Sequence, residues 1–144
     1  MIISEQTFEK ARKKIREEKS NITFTSEDDE LNRKILEKEN IQILLLNQKD
    51  RKDFAKQRNS GFNQVLAKEA KKKNVTIGIN LDEIIESTGR EKSQILARVK
   101  QNIEICNKNK LKMKFLSEKH SRNLIDIKAL GLVLGMPTWM TKEL

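Results

Sequence analysis

The chain has 144 residues, 36% of them apolar and 35% charged, and a net charge of +9. That length supports one domain with a modest core. No stretch approaches the roughly 18 to 20 apolar residues of a membrane span, and Met1–Ile15 lacks the apolar centre of a secretory signal, so a cytoplasmic protein without a membrane partner is expected. One cysteine, Cys106, and one histidine, His120, exclude an internal disulfide and fall short of a zinc ligand set.

Short apolar blocks alternate with longer amphipathic ones along the chain, the pattern of βα units. Glu5–Lys19 reads as a charged helix with a thin face of Phe8, Ala11 and Ile15. Ile22–Thr25 is short and β-branched, a strand. Ser26 with Asp29 resembles a capping box, and Asp28–Lys38 follows as a helix with Leu31 and Ile35 inward. Ile41–Leu46 is almost wholly apolar, as in a parallel strand buried on both faces. Gln48–Ser60 is a polar, basic connection with a helical turn expected near Phe54. Gly61 opens a helix to about Lys72 with Val65, Leu66 and Ala70 inward, and Val75–Leu81 is the third strand.

Thr88 and Glu91 predict a capped start for a long helix, Arg90–Asn107, whose stripe of Ile95, Leu96, Val99, Ile103 and Cys106 keeps the 3.6 period. Lys112–Leu116 is the fourth strand. Asn123–Leu134 is a more apolar helix expected to be more buried, and Gly135 with Pro137 marks its stop. About four parallel strands alternating with helices follow. A closed TIM barrel needs about eight strands and roughly 250 residues, so the expectation is a half barrel or small open sheet whose edges need cover. The organisation expected is one domain over 1–144, with an N-terminal helical segment (1–21) before the βα units (22–144).

Charge is distributed unevenly. Residues 1–48 hold 9 Lys and Arg against 10 Asp and Glu, whereas residues 49–144 hold 21 against 11. Residues 49–73 alone carry nine cations against three acids. A loop and helix so charged suit phosphate backbones, and solubility alone is the competing explanation. With five Phe, one Trp and no Tyr, structured RNA read by shape fits better than a platform for single strands.

Other chemistry is thinner. Asp82, Glu83 and Glu86 follow the third strand, where α/β proteins place sites and where grouped carboxylates could hold Mg²⁺. Asp82 is better suited to cap the helical stretch Glu83–Glu86, and acidic residues are favoured in a first helical turn. His120 has no orienting partner that the sequence names, and Cys106 lies on an apolar stripe, as a packing residue does.

From about Ile22 onward the chain resembles ribonuclease P protein component 3, the thirty-kilodalton subunit family of archaea and eukaryotes. Three stretches carry the likeness. They are Arg58-Asn-Ser-Gly-Phe-Asn-Gln-Val-Leu-Ala-Lys68, Lys73-Asn-Val-Thr-Ile-Gly-Ile79 and Arg122-Asn-Leu-Ile-Asp-Ile-Lys-Ala-Leu-Gly-Leu-Val-Leu-Gly-Met136. The resemblance implies a truncated TIM-barrel-like fold of the PHP-related type. It also implies a subunit of the ribonucleoprotein that removes the 5′ leader from precursor tRNA. In that assembly the RNA performs the Mg²⁺-dependent cleavage, so no catalytic residue, metal or cofactor is expected on this chain. Expected partners are ribonuclease P RNA, the small ferredoxin-like component 2 and, indirectly, precursor tRNA.

The RNA contacts expected are Lys49, Arg51, Lys52, Lys56, Arg58, Lys68, Lys72, Arg98, Ser117, Lys119, His120 and Arg122. Of these, Arg58, Lys68 and Arg122 are carried over by position, and Ser117 lies where the family has small residues. Departures from the family are Gln64 in place of a histidine, Glu118, Lys119 and His120 in place of a small-residue turn, and absent first strands. A metal-dependent phosphoesterase of a related barrel and a general basic RNA-binding protein are the competing functions.

Overall fold

The structure, a computed structural model, describes residues 2–144. Five strands and seven helices follow in order: β1 (Ile2–Ser4), α1 (Phe8–Glu17), β2 (Thr23–Thr25), α2 (Asp29–Lys38), β3 (Ile43–Leu46), α3 (Gln64–Lys72), β4 (Thr76–Asn80), α4 (Leu81–Glu86), α5 (Gly89–Lys108), β5 (Met113–Leu116), α6 (Leu124–Val133) and α7 (Thr138–Lys142). The strands form one sheet in the order β1-β2-β3-β4-β5, and every neighbouring pair is parallel. An all-parallel, sequentially ordered sheet with intervening helices is the repeating unit of a TIM-like barrel, left open between β1 and β5.

The expected four strands are therefore five. The fifth is β1, within a segment expected to be helical. Three residues are too few to show an alternation, and β1 exists because its backbone pairs with β2 (Ile3 opposite Phe24) and Ile3 enters the core. The short helix α7 was likewise not legible, because the stop at Gly135–Pro137 conceals a new start.

Alternate strand residues face the helices. Phe24, Leu44, Ile77 and Met113, each fully buried, run across four adjacent strands in register. Each such side chain stabilises the fold by about 1.5 to 3 kcal/mol relative to exposure. The helices answer with Ala11 and Ile15, Ile35 and Leu36, Ala67 and Ala70, and Ile95, Val99, Ile103 and Cys106. Burial pushes the Cys106 thiol pKa up, so it packs as an apolar group.

The opposite face of the sheet fills itself. A Cβ on Gly78 would lie 3.1 Å from Leu116 Cδ1 and 3.2 Å from Ile43 Cγ2, so side chains from β5 and β3 close over the glycine of β4. Leu45 is also buried on that face, which agrees with a β3 apolar on both sides.

Two expectations about burial are corrected. Val65 is 72% exposed, because the inward stripe of α3 is Leu66, Ala67 and Ala70. Helix α6 leaves Leu124, Ile125, Leu132 and Val133 exposed. Its apolar residues are spread around the helix and not gathered on one face, and it packs chiefly against α7, so the rest of the molecule covers only part of it.

Candidate nucleic-acid interface

Because all strands are parallel, their C-terminal ends share one rim, where the 47–63 and 117–123 loops leave the sheet. A polar ladder stiffens this rim. Asn80 Nδ2 donates to Asn47 Oδ1 (2.9 Å), Asn47 Nδ2 donates to Thr25 Oγ1 (3.1 Å), and Thr25 Oγ1 donates to the Leu45 carbonyl (2.9 Å). Ser4, Thr25, Asn47, Asn80, Asp82 and Ser117 line a cleft of about 250 Å³ beside it.

The 47–63 loop has no helical turn at Phe54, contrary to expectation, yet it is tightly held. Arg51 makes a bidentate pair with Asp29 (2.8 and 2.9 Å) and donates to the Asn47 carbonyl (2.6 Å). Arg98, on α5, is only 2% exposed. Its guanidinium donates to Asp53 Oδ1 (2.9 Å) and to the carbonyls of Gln48 (2.9 Å) and Arg51 (2.8 Å). Asp53 also accepts from the Asn59 amide (3.0 Å) and Arg58 Nη1 (3.2 Å), and these bonds, Arg98's foremost, hold its carboxyl below the usual range. Gly61 closes the loop in the left-handed region (φ +73°), with the Arg51–Asp29 pair so close that a Cβ would sit 2.6 Å from Arg51 Nη2. Only glycine meets both demands.

Asp82 and Glu83, adjacent on α4, act as two clasps facing opposite ways. Asp82 accepts from Ser117 Oγ (2.6 Å) and from the amides of Glu118 (2.9 Å), Lys119 (3.1 Å) and His120 (3.0 Å). Glu83 accepts from the amides of Gln48 (2.8 Å) and Lys49 (3.2 Å). One carboxylate fixes the loop after β5 and the other the loop after β3. Neither reading of Asp82 from the sequence survives: the cap of α4 is Asn80, which accepts from the Glu83 amide (3.3 Å). The oxygens of Asp82 are committed to three N–H donors and the Ser117 hydroxyl. Glu86 approaches His120 Nε2 (3.1 Å), the orienting partner that the sequence did not name. Among the described residues, no group of three His, Cys, Asp or Glu side chains is placed to hold a metal ion. Thr88, expected to cap α5, makes no side-chain cap bond.

The Asp82 clasp makes folding pH-dependent. Burial opposes its charge, but the four hydrogen bonds prevail and bring its pKa from 3.8 to about 2. A depressed carboxylate contributes stability above its unfolded pKa and loses it as pH falls through the folded value. This contribution therefore fades between about pH 4 and pH 2. Burial of Glu83 raises its pKa above 4.5, so its opposite effect lies at higher pH and leaves that window clear. The expected result for Asp82→Asn is a lower urea midpoint at pH 6 and a shallower loss between pH 4 and pH 2. An unchanged slope in equilibrium unfolding would refute the assignment.

The twelve expected contacts now divide. Lys49, Lys52, Lys56 and Arg58 stand exposed on the pinned loop, and Lys119 and Arg122 stand exposed on the neighbouring one. Half-buried His120 and Ser117 lie in that second loop, with the Ser117 hydroxyl donated to Asp82. Lys68 and Lys72 are exposed on α3, which leads away from the rim; Lys72 lies at the far end of the helix, roughly 12 Å from its start. Arg51 and Arg98 are corrections. Their cationic groups are spent on the protein's own acceptors, so they position the loop and do not present charge to a ligand. The sequence reading passed over Phe54 as a binding residue, although an aromatic inside a basic loop is itself a signal.

Fold and rim together define an α/β protein of TIM-barrel-like type, with a cationic surface at the C-terminal ends of its strands. No family model matches the chain. It is 35% identical over 83 residues to ribonuclease P protein component 3 of Methanosarcina acetivorans, a stretch that covers 55% of this chain and 35% of that protein. The chain thus spans about a third of the length of that curated relative. Its fold is shared with a chain in the cryo-EM structure of archaeal ribonuclease P with mature tRNA, at a TM-score of 0.78 and 20% identity over 98% of this chain and 62% of that one.

Proposed function

We propose that the protein is a non-catalytic subunit of ribonuclease P that binds and stabilises the catalytic RNA. The observation that carries this reading is the pinned 47–63 loop, which holds four exposed cations on a rigid frame in a chain similar to component 3. Preorganised cations offset phosphate repulsion and lower the Mg²⁺ an RNA needs to fold. Cleavage of the 5′ leader of precursor tRNA, and the Mg²⁺ it uses, belong to the RNA. The ferredoxin-like component 2 is the proposed protein partner, and the uncovered apolar side chains of α6 support a protein contact. The place of action is the cytoplasm.

A native pull-down followed by RNA sequencing tests the reading. Ribonuclease P RNA should be enriched, and adding the protein with component 2 should raise cleavage by that RNA at low Mg²⁺. Enrichment of random structured RNA alone would indicate a general RNA-binding protein. Phosphatase turnover by the protein alone would indicate the phosphoesterase.

A further inference from the structure

Phe54 is 58% exposed, whereas the other five aromatic side chains of the chain are buried or half-buried. A phenyl ring left largely in solvent forgoes most of the gain of burial. The ring is not on a slack segment. Its neighbour Asp53 is tied to Arg98 of α5, to Arg58 and to the Asn59 amide. Gln101 Nε2 donates to the Arg58 carbonyl (2.9 Å), four residues further along the chain. The short span that carries the ring is therefore anchored at both ends, with Lys52 and Lys56 flanking the ring in the chain.

Beside it lies a cleft of about 310 Å³, reaching to Asn59, Asn63 and Arg58 at the start of α3. The acids on its wall are already matched, Asp29 by Arg51 (2.8 Å) and Glu30 by Arg33 (3.1 Å). An exposed ring among cations and amides is the composition of a nucleotide site. A protein-facing hot spot differs, because lysine is depleted at the centre of such interfaces.

We propose that Phe54 is a stacking platform for one unpaired RNA base, with the flanking phosphates against Lys52, Lys56 and Arg58. This rests on the RNA-binding reading and sharpens it, departing from the expected readout by shape alone: the rim prefers structured RNA with a bulged or looped nucleotide over a continuous duplex. Anchoring on both sides of the ring, at Asp53 and at Arg58, limits the entropy that stacking costs.

The experiment uses the whole chain and three RNA hairpins: one with a single unpaired adenosine, one abasic at that position, and one fully paired. Wild-type protein should prefer the unpaired adenosine by about 5-fold to 100-fold. Phe54→Leu should abolish the preference and leave binding to the paired hairpin unchanged, while Phe54→Trp should retain it. With 2-aminopurine as the unpaired base, wild-type protein should change the fluorescence and Phe54→Leu should not. Equal losses on all three hairpins, or a preference that survives Phe54→Leu, would overturn the stacking role while leaving RNA binding in place. Absence of binding to every hairpin at low salt would overturn both readings.

Discussion

Replacing Arg98 with alanine is expected to lower stability by about 3 kcal/mol, the cost of breaking a buried, multiply bonded ion pair. For a chain of this size that is a fall of roughly 10 °C in melting temperature. Three acceptors lose their donor together: Asp53 Oδ1 and the carbonyls of Gln48 and Arg51. The Asp53 side chain, 26% exposed, can rehydrate in part, which places the effect at the lower end of the range for buried pairs. The damage should be local as well as global, because these bonds anchor the 47–63 loop to α5. Limited proteolysis should therefore open between Lys49 and Arg58 well before the sheet unfolds. Arg98→Lys should recover only part of the loss, since an ammonium cannot span three fixed acceptors as a guanidinium does. Arg58→Ala, removing an exposed partner of the same aspartate, should cost under about 1 kcal/mol. Equal melting temperatures for Arg98→Ala and wild type would show that the loop stands without its buried arginine.

Removing the charge of Lys49, Lys52, Lys56 and Arg58 together is expected to weaken binding to structured RNA roughly 100-fold near physiological salt. The more discriminating measurement is the salt dependence. Each phosphate contact contributes about 0.7 to 0.9 to the slope of log affinity against log salt, so loss of four should flatten it by about 3. All four side chains are exposed, so the melting temperature should change little, which separates this variant from Arg98→Ala. A matched control removes Lys10, Lys13, Lys34 and Lys38, from the part of the chain where acids balance bases. If solubility were the only purpose of the positive charge, both quadruple variants would bind alike. A slope unchanged by the loop variant would place the phosphate contacts elsewhere, with Lys119 and Arg122 the next to examine.

Both expectations concern arginines and lysines that look alike in the sequence. Within ten residues, Arg51 and Arg58 sit in the same basic run, yet one is a bidentate strut at 11% side-chain exposure and the other half in solvent. Nothing local separates them. The difference arises because Asp29, at the start of α2, meets Arg51 across 22 positions, and Arg98 reaches Asp53 across 45.

The sequence by itself determined the alternation of strands and helices from Ile22 onward, since burial period is a local property of the chain. It also determined the concentration of positive charge beyond residue 48, which is a matter of counting. The inward stripe of α5 was legible for the same reason, whereas the cap of α2 is Asp28, two residues beyond the expected Ser26. Tertiary structure decided the rest. It recruited Ile2–Ser4 as a fifth strand, because pairing with β2 supplies what three residues lack in propensity. It left α6 half uncovered, because its apolar residues are spread around the helix while α7 covers only one side. It turned Asp82 and Glu83 from a suspected metal cluster into loop clasps, because four and two N–H and O–H donors, brought from other parts of the chain, satisfy their oxygens. Polar side chains choose partners by distance in space. Which cations were left free in solvent could therefore be known only once the chain had folded.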